Sequence, residues 1–173
     1  MAESEGRDHV RIVETLLLPD EAATARVAAA LAADPALRHA LIELHGELGA
    51  GKTTLVRHLL RALGVSGRIK SPTYAVVEPY ELPGLDIWHF DFYRLDEPRE
   101  WQDAGFRDIF ASPGLKLAEW PEKAAGYLPR ADLVLTLTVR DDNSRMLTLQ
   151  AQTATGRALC HRVTDSAAGT VSA

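Results

Sequence analysis

The stretch Gly46-Glu47-Leu48-Gly49-Ala50-Gly51-Lys52-Thr53 fits the spacing G-x-x-x-x-G-K-[ST], and its reading decides the fold. Glycines let a backbone curl until several N–H groups point at one anion. The lysine then reaches the outer phosphates, and the hydroxyl after it can ligate magnesium. The pattern predicts a site for a nucleoside triphosphate with Mg²⁺. At average residue usage four such fixed positions coincide by chance in roughly one chain of this length in 150, so the flanking sequence has to decide.

Upstream, Ala40 to His45 (ALIELH) is a short apolar run that reads as a buried strand. Downstream, Thr54 to Leu63 places Leu55, Leu59 and Leu63 on one helical face with Leu60 and Ala62 alongside, and Gly64 supplies a stop. Strand, glycine loop and helix is the arrangement the chemistry needs, because the helix N-terminus adds the positive end of its dipole to the cradle. The plainer alternative is a glycine-rich strand-to-helix turn that holds no nucleotide.

A chain of 173 residues with 46% hydrophobic residues can bury one good core and is short for two domains. We therefore expect a single domain over residues 1–163. A net charge of −5 argues against a surface that grips nucleic acid throughout, so any RNA contact is expected to be indirect or weak. One cysteine, Cys160, allows no intrachain disulfide and reads as a small hydrophobe in or beside a strand. Neither a signal peptide nor an apolar run of about 18 residues is present, and a cytosolic, membrane-free protein is expected.

Farther out, Val10 to Leu18 has the alternation of an edge strand, and Pro19-Asp20-Glu21 opens an alanine-rich helix that Asp34-Pro35 breaks. Tyr74 to Glu81 and Leu85 to Tyr93 read as strands around a Pro83-Gly84 turn. Trp101 to Phe110 has helical spacing, and Leu115 to Trp120 reads as a strand ended by Pro121. Val134 to Val139 and Met146 to Ala151 alternate around Asp141-Asp142-Asn143-Ser144, as an antiparallel hairpin does. The tail from Thr164 onward is rich in Ser, Ala, Gly and Thr and is expected to be disordered. The fold class that follows is α/β with a mixed, partly parallel sheet extended by an antiparallel C-terminal hairpin.

A triphosphate site also needs an acid at a strand end and a group that orients water or an acceptor. Asp91 closes the apolar run Ile87 to Asp91 as a Walker-B acid should, whereas Asp86 sits at the wrong end of that strand, since ligands gather outside carboxyl ends. Glu119 also closes an apolar strand and could add a second carboxylate to the metal. For both, the plainer reading is a capping or solvent-facing acid. The loop Lys70-Ser71-Pro72-Thr73-Tyr74 follows the phosphate-binding helix, where nucleotide switches sense the γ-phosphate. Thr73 is either such a switch hydroxyl or part of an ordinary Ser-Pro turn.

Four motifs in order, HGELGAGKTT, KSPTYAVVEPYE, HFDFYRL and LAEWPEK, resemble the bacterial tRNA threonylcarbamoyladenosine biosynthesis ATPase family, TsaE (YjeE), over roughly residues 18–137. The resemblance implies a small P-loop ATPase of three-layer, P-loop NTPase-like fold. It implies two partner proteins, TsaB and TsaD, which transfer a threonylcarbamoyl group to adenosine 37 of ANN-reading tRNAs, with ATP hydrolysis resetting the complex. By resemblance, Gly49, Ala50, Gly51, Lys52, Thr53 and Thr54 wrap the phosphates, Lys52 neutralises the β and γ oxygens, and Thr53, Asp91 and Glu119 serve the Mg²⁺. Thr73 falls on the switch-like threonine, and Glu21 or Thr24 is implied to touch adenine or ribose.

A small-molecule or nucleoside kinase is the alternative. It would share the cradle, but its usual arginine-rich lid is not evident in the scattered Arg94, Arg99 and Arg107. A regulatory GTPase would need an N-K-x-D guanine motif, which the sequence lacks.

Overall fold

The computed structural model describes residues 12–70, 72, 76–97 and 105–168. The glycine loop lies between strand β2 (Leu41–His45) and helix α2 (Lys52–Leu63), as the sequence predicts. On α2, Leu55, Val56, Leu59 and Leu60 are buried and Leu63 half-buried, while Ala62 faces solvent instead of flanking the apolar stripe. Gly64 ends the helix in a left-handed conformation.

The other elements in chain order are β1 (Ile12–Leu18), α1 (Glu21–Ala32), β3 (Val77–Leu82), β4 (Leu85–Asp91), α3 (Phe106–Ala111), β5 (Leu115–Glu119), β6 (Leu133–Val139), β7 (Arg145–Ala151) and α4 (Ala154–Ala168). Short 3₁₀ helices cover Pro35–His39 and Pro121–Ala124. Asp20 caps α1 by accepting the Ala23 N–H at 2.9 Å. Asp34 does the same for Ala36, so the proline that breaks α1 opens a new turn.

Among the described residues the strands form one seven-stranded sheet in the order β1-β7-β6-β2-β5-β4-β3. The four central strands are parallel; on one side β3 pairs antiparallel with β4, and on the other β7 pairs antiparallel with β6 and β1 antiparallel with β7. This is the mixed sheet and C-terminal hairpin the sequence predicts, and β1 is the expected edge strand. The alternation of β6 and β7 sends Leu133, Leu135, Leu137, Leu147, Leu149 and Ala151 to one face, where they join Ile42, Leu44, Ile87, Leu115 and Leu117 beneath the helices. On the opposite face, Phe90 stacks on Phe92 and Phe110 and meets Phe106 edge-on, sealing the β4–β5 end.

Three further expectations change. Cys160 is fully buried, but on α4 rather than a strand. The expected disorder from Thr164 gives way to helix through Ala168, because Leu159, Cys160 and Val163 form a buried stripe against the sheet and α1. The helix expected over Trp101 to Phe110 starts at Phe106, behind Gly105 in a left-handed conformation; 101–104 lie outside the described residues. Ser71, Thr73 and Tyr74 also lie outside them.

Candidate nucleotide and metal site

Parallel strands align their carboxyl ends, and here that edge gathers the chemistry. Asp91 is the register partner of Glu119, and Glu119 is the register partner of Leu44, the second-last residue of β2. The two acids therefore stand side by side next to the strand that feeds the glycine loop. Asp86 lies exposed at the far end of β4, as the strand direction requires.

The loop has the left-handed geometry that glycine supplies. Gly46 has φ 147°, and a Cβ there would fall 2.7 Å from the Leu137 carbonyl oxygen and 3.1 Å from the Ala50 Cβ. Gly51 has φ 106° and leads directly into α2, with no side chain capping the helix. The first-turn N–H groups of α2 thus face the loop's hollow.

Lys52 is 5% exposed. Its ammonium donates to the Gly46 carbonyl, lies 3.4 Å from that of Glu47, and stands 3.7 Å over the Trp120 ring. Burial lowers its pKa from the ordinary lysine value, against the upward pull of Glu119, Glu122 and Asp91. The Trp120 backbone is left-handed at φ 54°, which turns its indole onto the lysine and toward Tyr93, with ring centroids 5.0 Å apart.

Thr53 donates its hydroxyl to Glu119 Oε1 at 2.9 Å. Glu119 is 1% exposed, and its Oε2 lies 2.5 Å from His89 Nε2. Asp91 accepts the Tyr93 N–H at 3.0 Å. Burial raises its pKa above the ordinary carboxylate value, the Tyr93 N–H works against that rise, and Glu119 adds to it. A hydroxyl and two carboxylates are hard oxygen donors of the kind Mg²⁺ takes, and Mg²⁺ is usually held by one or two carboxylates together with substrate phosphates. Among the described residues no group of three His, Cys, Asp or Glu could hold an ion.

Beside the loop lies a pocket of about 300 Å³ between the start of α1, the loop and the β6–β7 turn. Glu21, Thr24, Ala50, Gly51 and Thr54 line it, so the two α1 residues singled out from sequence do meet the glycine loop. Glu21 also reaches His58 on α2, with Oε1 and Nε2 2.9 Å apart. Asn143 and Arg145 complete the wall. Asn143 is left-handed at φ 71°, and the Arg145 guanidinium lies 3.4 Å from the Gly49 carbonyl. Sequence reading passed over both, since Asn143 read as a turn residue and Arg145 lies 96 positions from Gly49.

Compared with known proteins, residues 18–147 match the family model described as Threonylcarbamoyl adenosine biosynthesis protein TsaE. The chain belongs to the TsaE family. It is 46% identical over 117 residues to the Haemophilus influenzae tRNA threonylcarbamoyladenosine biosynthesis protein TsaE, covering 68% of this chain and 73% of that protein. The Bacillus subtilis protein of the same description is 32% identical over 111 residues, covering 64% of this chain and 69% of its relative. The crystal structure of Bacillus subtilis YdiB superposes with a TM-score of 0.74 at 24% identity, over 91% of this chain and 97% of that one, which supports the P-loop NTPase-like fold. The TsaE match runs past Leu137 through the β6–β7 turn, so it takes in Asn143 and Arg145, which the sequence motifs had left outside.

Of the site residues named from sequence, Gly49 to Thr54, Asp91 and Glu119 come together at one sheet edge. Glu21 and Thr24 lie at the adjoining pocket. Thr73 falls outside the described residues. No helix among the described residues is long and apolar enough to cross a membrane.

Proposed function

We propose that this TsaE-family chain is a Mg²⁺-dependent ATPase, folded as one domain over 1–163, that serves threonylcarbamoylation of adenosine 37 in ANN-reading tRNAs. Its hydrolysis of ATP cycles a transferase formed by TsaB-like and TsaD-like partners in the cytoplasm. The observation that carries the reading is the Thr53–Glu119 hydrogen bond at the mouth of the glycine loop, with Asp91 in register beside it.

In this reading the first-turn N–H groups of α2 and the loop amides from Gly49 to Thr54 bind phosphate oxygens. Lys52 leaves the Gly46 carbonyl and Trp120 for the β and γ phosphates. Its contacts are two carbonyls and a ring face, and its pKa is lowered by burial, so an anion is a better partner than those it has. Thr53 donates a hydrogen bond to Glu119 and keeps its lone pairs for the cation. Asp91 supplies the Walker-B carboxylate. Bound Mg²⁺ contributes charge neutralisation on the phosphate oxygens. Thr73 is assigned the γ-phosphate or water-positioning role on its sequence position alone. Glu21, Thr24, Asn143 and Arg145 are assigned to adenine and ribose, because their pocket adjoins the loop.

Arg145 meets the loop at the Gly49 carbonyl, on the pocket wall assigned to adenine and ribose, and the parts named at the phosphate end are phosphate ligands, metal ligands and hydroxyls. Hydrolysis by the lone chain is therefore slow, and the partners complete the site. The test is release of labelled phosphate from ATP by the chain alone and with the two partner proteins. Slow release that the partners accelerate is expected. Transfer of label to a nucleoside or other small acceptor would instead identify a kinase.

A further inference from the structure

Strand β4 carries an imidazole that the proposed reaction leaves without a task. His89 is 1% exposed and lies on the same face of β4 as Asp91, two residues before it, among Ile87 and Leu117. An apolar residue would suit that setting better, since burying a polar ring is costly unless it is hydrogen-bonded. Among the described residues its Nδ1 has no partner, and its Nε2 meets one group, Glu119 Oε2, at 2.5 Å.

We propose that His89 is a positioning residue that fixes the Glu119 carboxylate so that it can orient the Thr53 hydroxyl toward a divalent cation; this rests on the roles of Thr53 and Glu119 proposed above. A glutamate carboxyl has a broad terminal torsion, and one hydrogen bond leaves it free to swivel. Two donors on its two oxygens remove that freedom. With Oε2 held by His89, Oε1 faces Thr53 at 2.9 Å, and the threonine lone pairs turn outward to the loop's mouth. A carboxylate only accepts, so the ring carries a hydrogen on Nε2 and donates it to Glu119. Groups that hydrogen-bond to metal-associated side chains typically change metal affinity or activity by about 10- to 100-fold when removed.

The experiment uses the full chain with ATP and Mn²⁺ as probe, following free Mn²⁺ by its paramagnetic signal. ATP affinity in chelator and thermal unfolding are measured alongside. His89→Leu is expected to keep ATP affinity without metal within about twofold and to weaken Mn²⁺ affinity of the ATP complex by about 10- to 100-fold. His89→Gln, whose amide N–H can reach Glu119, is expected to restore most of it, and His89→Leu added to Glu119→Gln to cost little more than Glu119→Gln alone. Where the leucine variant does not fold, His89→Asn, whose amide stops short of Glu119, takes its place. A folded leucine or asparagine variant with wild-type Mn²⁺ affinity, a glutamine variant no better than leucine, or additive losses with Glu119→Gln would overturn the inference. If the wild-type chain binds no Mn²⁺ with ATP, or Lys52→Ala binds ATP as wild type does, it is the nucleotide-site reading itself that fails.

Discussion

Thr53→Val keeps the shape of the side chain and removes one hydroxyl, so it isolates the contact on which the site is built. In the wild-type chain that hydroxyl is 2.9 Å from Glu119 Oε1, and Glu119 is 1% exposed. The valine leaves a buried carboxylate oxygen without that donor and with little access to water. An unsatisfied buried acceptor costs about 1–3 kcal/mol, toward the upper end when charged, so we expect a loss near 2 kcal/mol in the absence of nucleotide. For a chain of this size the urea dependence is about 2 kcal/mol per molar, which turns the loss into a midpoint shift of about 1 M. The assay is urea unfolding by circular dichroism in chelator. With MgATP added at about a hundred times its dissociation constant, wild type should gain about 2.7 kcal/mol, and the valine variant should gain much less because its cation ligand is gone. A midpoint within about 0.2 M of wild type, with full stabilisation by MgATP, would refute the contact and the role assigned to it.

Gly46→Ala should be destabilised by about 2–4 kcal/mol, since its Cβ would fall 2.7 Å from the Leu137 carbonyl oxygen at a backbone φ of 147°; thermal unfolding checks this, and a stable alanine variant would contradict the loop geometry. Asp91→Asn should stabilise the nucleotide-free chain at neutral pH. A carboxyl whose folded pKa lies above its unfolded 3.8 holds its proton more tightly in the fold, so wild type loses stability as pH rises from 3.8 through the folded value. The gap between variant and wild type should therefore be small in acid and open over that window in urea titrations at several pH values. Cys160, fully buried and with its thiol pushed up to about 11 by burial, should resist maleimide at neutral pH and react only as fast as the chain opens; prompt labelling of the native protein would place it at the surface.

What the sequence disclosed was what neighbouring residues decide among themselves. Gly46 to Thr53, the apolar run before it and the leucine stripe after it specify strand, loop and helix through local periodicity and backbone freedom, and the structure keeps all three. Asp91 and Glu119 were readable because a strand's direction tells which end carries ligands, and parallel pairing does the rest. Their hydrogen bonds were not readable, because whether Glu119 meets Thr53, His89 or water depends on register and on how deep the sheet edge lies under α2. Asn143 and Arg145 reach the loop only because β7 and β6 stack outward from β2, a strand order that residue spacing does not encode. Helix α4 was half hidden for a different reason. Its buried stripe of Leu159, Cys160 and Val163 is narrow, and the small polar residues after it read as tail. The start of that helix lies against the sheet so closely that a Cβ on Gly156 would fall 1.8 Å from the Asp132 carbonyl oxygen, while Thr164 returns its hydroxyl to the Cys160 carbonyl at 3.1 Å.

Calorimetric titration of MgATP into the wild-type chain and into Lys52→Ala tests the central claim most directly. A single saturable site in the wild type that disappears in the alanine variant, with both chains equally folded, is the predicted result. Equal binding by the two, or no binding by the wild type, would contradict it.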